Sequence, residues 1–123
     1  MRKMVFAITT NGTGDATVSG ERSTIGKLYA VEYQPGTIAT GATVTITSEN
    51  GGYSKPLLTK ASAGTAATMF YPRELVHAVA DGAALTGTSG GDRCEPLLSG
   101  VPKVVIASGG ATASGKVILY FEE

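Results

Sequence analysis

The sequence has few of the residues that carry most catalytic and metal chemistry. Its 123 residues include one cysteine, one histidine and no tryptophan. A single cysteine, Cys94, cannot form an internal disulfide, which excludes a disulfide-stabilised secreted scaffold. His77 and Cys94 are too few for a zinc site, although the two together are a conceivable base and nucleophile. We therefore expect no catalytic residue, no metal and no cofactor.

The chain also lacks an excess of either charge and any long hydrophobic run. Ten basic and ten acidic residues give a formal net charge of zero, whereas binding to nucleic acid or to an anionic membrane requires clustered positive charge. The apolar run at residues 4–8 is shorter than the roughly 7–15 residues of a signal-peptide core and the about 20 of a membrane span. We expect synthesis in the cytoplasm and no nucleic-acid or membrane partner.

What the chain does contain is glycine and short stretches of alternating hydrophobicity. It has 17 glycines and 5 prolines, and turn signals such as Asn11-Gly12 and Asn50-Gly51-Gly52 separate the β-rich stretches. The alternation is clearest in residues 42–48, where Val44 and Ile46 share one face. The expected strands are residues 4–9, 15–19, 27–33, 42–48, 68–71, 102–107 and 116–121. This pattern predicts an all-β fold, an antiparallel β-sandwich or barrel of jelly-roll-like form with at most one short helix.

We expect one β domain over residues 1–123, with residues 1–10 as a possible extended N-terminal strand or arm. Residues 73–80 are the one plausible helix, with a strand as the alternative. Residues 108–115 are predicted to join the last two strands as an antiparallel hairpin. The strand at residues 3–9 could also add to the sheet edge of a neighbour.

Two segments match the residue patterns of catalytic motifs, but the neighbouring residues and secondary structure that those motifs require are missing. Gly110–Lys116 resembles a phosphate-binding loop, but Val117 stands where such a loop needs Ser or Thr, and a strand follows in place of a helix. Gly87–Gly91 matches the nucleophile elbow G-x-S-x-G, but residues 92–96 form a poor helix. We interpret both segments as loops.

The tyrosines allow two interpretations. Tyr29, Tyr33, Tyr53 and Tyr71 could line a surface that binds a glycan, or they could simply pack within strands. Without tryptophan, the support for a stacking platform is weak, and the packing interpretation is favoured.

Three segments resemble a family of small accessory structural proteins of tailed phages and prophages. They are Met69-Phe70-Tyr71-Pro72-Arg73-Glu74-Leu75-Val76-His77 with Asp81–Gly87, then Glu95–Ala107, and finally Gly115–Phe121. The resemblance covers residues 27–123, and its specific parts are the Tyr-Pro-Arg core and the expected final hairpin. It is most similar to head decoration, or cement, proteins.

The resemblance implies a non-enzymatic virion protein on the capsid surface that binds the major capsid protein and itself, as a homodimer or homotrimer. Phe70, Tyr71, Pro72 and Arg73 are then expected to form contacts, because Tyr and Arg favour interface cores. The alternative is that Phe70 is a core residue, Tyr71 only packs, and Arg73 pairs with Glu74 or Glu95. A tail, neck or fibre domain that binds a receptor or glycan is the other function.

Overall fold

The computed structural model describes residues 1–75 and 93–123, and this part of the chain is all-β. The expected fold class is therefore confirmed. The strands of the described residues are β1 (Arg2–Thr9), β2 (Ala16–Ser19), β3 (Thr24–Gln34), β4 (Thr43–Asn50), β5 (Tyr53–Lys60), β6 (Thr68–Phe70), β7 (Glu74–Leu75), β8 (Arg93–Cys94), β9 (Leu97–Ala107) and β10 (Ser114–Glu122).

Eight of these strands form two antiparallel layers around one core. The first layer has the order β1-β10-β3-β6, and the second contains β2, β9, β4 and β5, with β9 between β2 and β4. The layers are joined where the first half of β3 pairs with the first half of β9. The remaining strands, β7 and β8, pair only with each other among the described residues.

The alternation seen in the sequence places the core. Val44 and Ile46 of β4 are fully buried, as expected, and the threonines that alternate with them, Thr43, Thr45 and Thr47, are half-buried. Inward-facing residues of β1, β3, β9 and β10 supply most of the rest of the cluster, among them Phe6, Ile8, Leu28, Val31, Tyr33, Val104, Ile106, Val117, Leu119 and Phe121. Threonine is β-branched and tolerates solvent, which suits the outward positions of a half-buried sheet.

The predicted hairpin between the last two strands is wrong. β9 belongs to the second layer and β10 to the first, and each pairs with other strands. The connection, residues 108–113, crosses between the layers. Positive φ at Ser108, Gly110 and Thr112 turns the chain, and the Gly109 amide donates to the Gly14 carbonyl at 2.8 Å. Both strands are strongly apolar on one face, and opposite layers let each bury that face against the other.

The ambiguous segment after Pro72 begins as a strand. Glu74 pairs with Cys94 and Leu75 with Arg93, so the strand alternative is confirmed at residues 74–75. The rest of the possible helix, residues 76–80, and the elbow-like segment Gly87–Gly91 lie outside the described residues. Gly110–Lys116 runs from a loop into β10, as the loop interpretation requires.

Candidate functional site

A bulge in β3 turns Tyr29 outward. Leu28 pairs with Phe121, but Ala30 pairs with the preceding residue, Tyr120. Tyr29 is therefore an extra residue that has no pairing partner on β10. Such bulges re-aim a side chain and reverse which alternate residues face the core. This explains why Leu28 and Val31, which are three positions apart, are both fully buried.

Tyr29 meets the Tyr-Pro-Arg segment that the sequence singled out. The rings of Tyr29 and Tyr71 lie edge to face, with centroids 6.0 Å apart and an interplanar angle of 84°. The guanidinium carbon of Arg73 lies 5.5 Å from the centroid of the Tyr29 ring. Tyr29 is 41% exposed and Tyr71 57%. We call Tyr29, Tyr71 and Arg73 the tyrosine–arginine patch.

Backbone carbonyls hold the arginine of this patch in place. Its Nη1 donates to the Tyr29 carbonyl at 2.9 Å and to the Pro72 carbonyl at 2.6 Å. A cation over an exposed aromatic ring contributes about 0.5–1 kcal/mol, and an edge-to-face aromatic pair about 0.5–1.5 kcal/mol beyond its buried area. Contacts within the chain therefore hold the three side chains of the patch in place without a bound partner.

The four expected contact residues differ in what they can contact. Phe70 packs against the core, and Pro72 is buried, while Tyr71 and Arg73 reach the surface. The alternative for Phe70 therefore fits the structure. Arg73 lies on Tyr29, and Glu74 forms its ion pair with Lys55 at 3.3 Å.

The sequence indicates Tyr29 only as a possible residue of a glycan platform and gives no direct sign of its contact with Arg73. Leu28 and Ala30 follow one alternation and Val31 and Tyr33 the other, and this change of phase is the signal that could have located the bulge. The four tyrosines do not form one surface. Tyr33 is fully buried, whereas Tyr53 begins β5 in the second layer.

A small cleft of about 130 Å³ adjoins Tyr29. It is lined by Met1, Lys27, Tyr29, Glu95 and Glu122. One lysine and two carboxylates beside an exposed ring offer both signs of charge to a polar partner. The cleft therefore adds side chains that can hydrogen-bond to a partner beside the aromatic rings of the tyrosine–arginine patch.

The outer face of the first layer carries a small polar network centred on Glu32. The Gln34 side-chain amide and the Tyr120 hydroxyl both donate to its carboxylate, the latter at 2.7 Å. The Gln34 and Tyr120 hydrogen bonds lower the pKa of Glu32 below its usual value. The bond to Glu32 raises the pKa of Tyr120. Glu32 lies opposite Met69 of β6, two residues before Tyr71.

Replacing Tyr120 by phenylalanine is expected to raise the pKa of Glu32 toward its ordinary value, because one donor to the carboxylate is lost. A lowered pKa in the folded state stabilises the protein above the unfolded-state value of 4.5. That stability is lost as the pH falls through the folded-state pKa. Carboxyl-carbon NMR titration measures the shift. Tyr53→Phe is the matched control, and an unchanged Glu32 pKa in Tyr120→Phe would contradict the network.

Other expected sites are placed as follows. Cys94 is exposed in β8, whereas His77 lies outside the described residues. Within residues 1–75 and 93–123, no three His, Cys, Asp or Glu side chains are grouped so that they could hold a metal ion. The same residues include no helix long and apolar enough to span a bilayer.

Comparison with known proteins gives one distant likeness. No protein-family model matches the chain, and no curated protein matches it. A similar solved structure is the exo-beta-1,3-galactanase of Phanerochaete chrysosporium with galactose, at 16% identity and a TM-score of 0.35. The match covers 97% of this chain and 27% of the galactanase chain. A likeness this low carries no argument about function.

Proposed function

We propose that this chain is a non-enzymatic virion protein of a tailed phage, a head decoration protein that reinforces the capsid surface. Its partners are the major capsid protein and further copies of itself. The observation that carries the proposal is the tyrosine–arginine patch, which lies within the segment that resembles accessory phage proteins. Synthesis in the host cytoplasm precedes its attachment to the head.

The patch has the chemistry of an interface centre. Tyr and Arg are enriched among residues that dominate binding energy. The bulge and the two carbonyl contacts of Arg73 fix the side chains in advance, so little conformational entropy is lost on binding. Those two contacts use Nη1 alone, and a guanidinium has five N–H donors. A carboxylate of the capsid protein can therefore bind the remaining edge of Arg73.

The rest of the molecule suits dense packing on a shell. The formal net charge of zero avoids the mutual repulsion that a strong net charge would cause between neighbouring copies. The described strands form two layers, joined where β3 pairs with β9, around a single apolar cluster. Such a scaffold holds the patch in one orientation relative to the capsid.

Replacing Tyr71 by alanine is expected to weaken attachment to heads at least about tenfold, because truncating a tyrosine at the energetic centre of an interface costs about 2 kcal/mol or more. The measurement mixes purified protein with phage heads that lack it and counts bound copies by quantitative mass spectrometry. For the native protein, we expect a copy number comparable with that of the major capsid protein.

Tyr53→Ala is the matched control, because Tyr53 is another exposed tyrosine and lies in the second layer. It should bind heads as the native protein does. Equal loss in both variants, or a native count of only a few copies per particle, would contradict head decoration. A low count would instead indicate a neck or tail component.

A second function is favoured by one observation. The exposed edge-to-face pair of Tyr29 and Tyr71, beside the cleft with Lys27 and Glu122, is the kind of surface on which a glycan could stack. This alternative is a fibre or tail domain that binds a receptor glycan. A glycan-array signal that Tyr71→Ala abolishes, together with no binding to heads, would replace the first proposal with this one.

A further inference from the structure

The backbone of β1 has one edge bonded to β10 and another edge that no strand of the described residues pairs with. The Thr10 amide donates to the Ala113 carbonyl of the β10 side, and alternate residues of an antiparallel strand direct both polar groups to the same side. Even-numbered residues of β1 therefore bond to β10. Lys3, Val5, Ala7 and Thr9 direct their N–H and C=O groups to the opposite edge. Within residues 1–75 and 93–123, β1 pairs with β10 alone.

Two neighbouring bonds support this assignment of sides. The Ser114 carbonyl, next to Ala113, accepts from the Thr37 amide and so faces the β3 side of the layer. Asn11, which continues the odd series, donates its amide to Asp15, away from β10. Both bonds agree with the alternation inferred from Thr10.

Among the described residues, the other edges of the two layers are protected mostly by features that β1 lacks. β5 carries Pro56, Lys55 and Lys60 and is irregular in its pairing with β4. β2 and β6 have only four and three residues. Short strands, proline, lysine and bulges are the usual means of preventing edge-to-edge pairing. β1 has eight residues, no proline and an unbroken register.

The free edge of β1 is also accessible. A groove of about 470 Å³ runs beside it, between residues 3–7 and residues 18–22. Val5 is 49% exposed in this groove. The edge of β1 is therefore open to solvent beside residues 3–7.

We propose that β1 binds β1 of a second copy of this chain, antiparallel about a two-fold axis at Phe6. In this register Lys3 lies opposite Thr9 of the partner copy, and Val5 lies opposite Ala7. All four free residues of each copy are then paired, which gives about eight backbone hydrogen bonds. The two first layers become one continuous sheet.

The positions of the charged residues of β1 favour antiparallel over parallel pairing of the two copies. The cationic residues of β1, Arg2 and Lys3, lie at one end of the strand. Antiparallel self-pairing places Lys3 opposite an uncharged threonine, whereas parallel pairing would place it beside its own copy at a cost. The half-buried Met4 comes to lie opposite Ile8 of the other copy, which extends the apolar face across the axis. Self-complementary contacts of this kind are the rule in two-fold dimers.

The inference rests on the self-association in the proposed function, and it commits to a dimer. It is tested on the isolated protein without heads or glycans. Failure of the dimer would therefore leave the head-binding result of Tyr71→Ala unaffected, and the reverse also holds.

Val5→Pro is expected to weaken dimerisation about 10- to 100-fold, because it removes one amide donor from each copy. Since the Val5 amide faces away from β10, proline there leaves the β1–β10 ladder intact. Sedimentation velocity across a concentration series measures the effect. The native protein should have twice the chain mass of 12.5 kDa, and Val5→Pro should have the chain mass.

Val5→Ala is the matched control, since it shortens the same side chain and keeps the amide, and it should remain a dimer. Hydrogen exchange of the native protein provides a test without substitution. The amides of Val5 and Ala7 should exchange faster on dilution, whereas that of Phe6 stays protected by β10. A native monomer or trimer, equal masses for Val5→Pro and Val5→Ala, or exchange at Val5 independent of concentration would overturn the proposal.

Discussion

Replacing Gly100 by alanine is expected to lower the free energy of unfolding by about 2–6 kcal/mol. Gly100 has φ of 105°, a conformation in which a residue with a Cβ is strained by about 1–3 kcal/mol. An added Cβ would also collide with the Glu49 carbonyl and lie 3.0 Å from the Asn50 Cβ. Relieving that overlap by moving the backbone typically costs another 1–3 kcal/mol or so.

The place of Gly100 in β9 explains why the backbone has this conformation. Val101 still pairs with Glu49 of β4, but Gly100 already pairs with Thr24 of β3. β9 therefore leaves the second layer and joins the first at this residue, and glycine is often found at such bends. A small domain has only about 5–15 kcal/mol of stability in total, so the substitution removes a large share of it.

Urea or thermal unfolding measures the effect, with a fall of roughly 10 °C or more in the melting temperature. Gly41→Ala is the matched control, because its added Cβ meets no atom within 4 Å and its φ is not positive. It should change stability by less than about 1 kcal/mol. Similar melting temperatures for the two variants would show that the bend of β9 does not require glycine at position 100.

Local features of the fold could be predicted from the sequence, and long-range pairing could not. The alternation of Val44 and Ile46 with threonines sets which face of β4 is buried, and this information lies within the strand itself. Residues 108–113 could equally have made a hairpin or a crossing. The crossing depends on bonds to Gly14 and Ala39, which are distant in sequence.

The candidate site was predictable only in part, for the same reason. Tyr71 and Arg73 stand close together in the sequence and could be named from it. Their partner Tyr29 is brought to them by a bulge, which is a property of the pairing between β3 and β10. Phe70 was expected at an interface, but Val31 lies opposite it on the core side of the sheet.

Replacing Phe121 by alanine is expected to cost about 3–5 kcal/mol of stability, the usual effect of emptying a buried aromatic position. Phe121 is fully buried and lies opposite Leu28, at the point where the β3 bulge begins. The cavity would remove the packing that fixes Leu28 and with it the position of Tyr29. The variant should therefore lose both stability and head binding, even at temperatures where it remains folded.

Phe121→Leu separates these effects, because a smaller change in volume leaves most of the packing in place and should cost less stability than Phe121→Ala. Unfolding measurements and the head-binding assay would be made on both variants below their melting temperatures. If folded Phe121→Ala bound heads as well as the native protein, the bulge would not depend on this packing. Since Tyr29 accepts the hydrogen bond from Arg73 through its own carbonyl, a shifted bulge should also release the guanidinium.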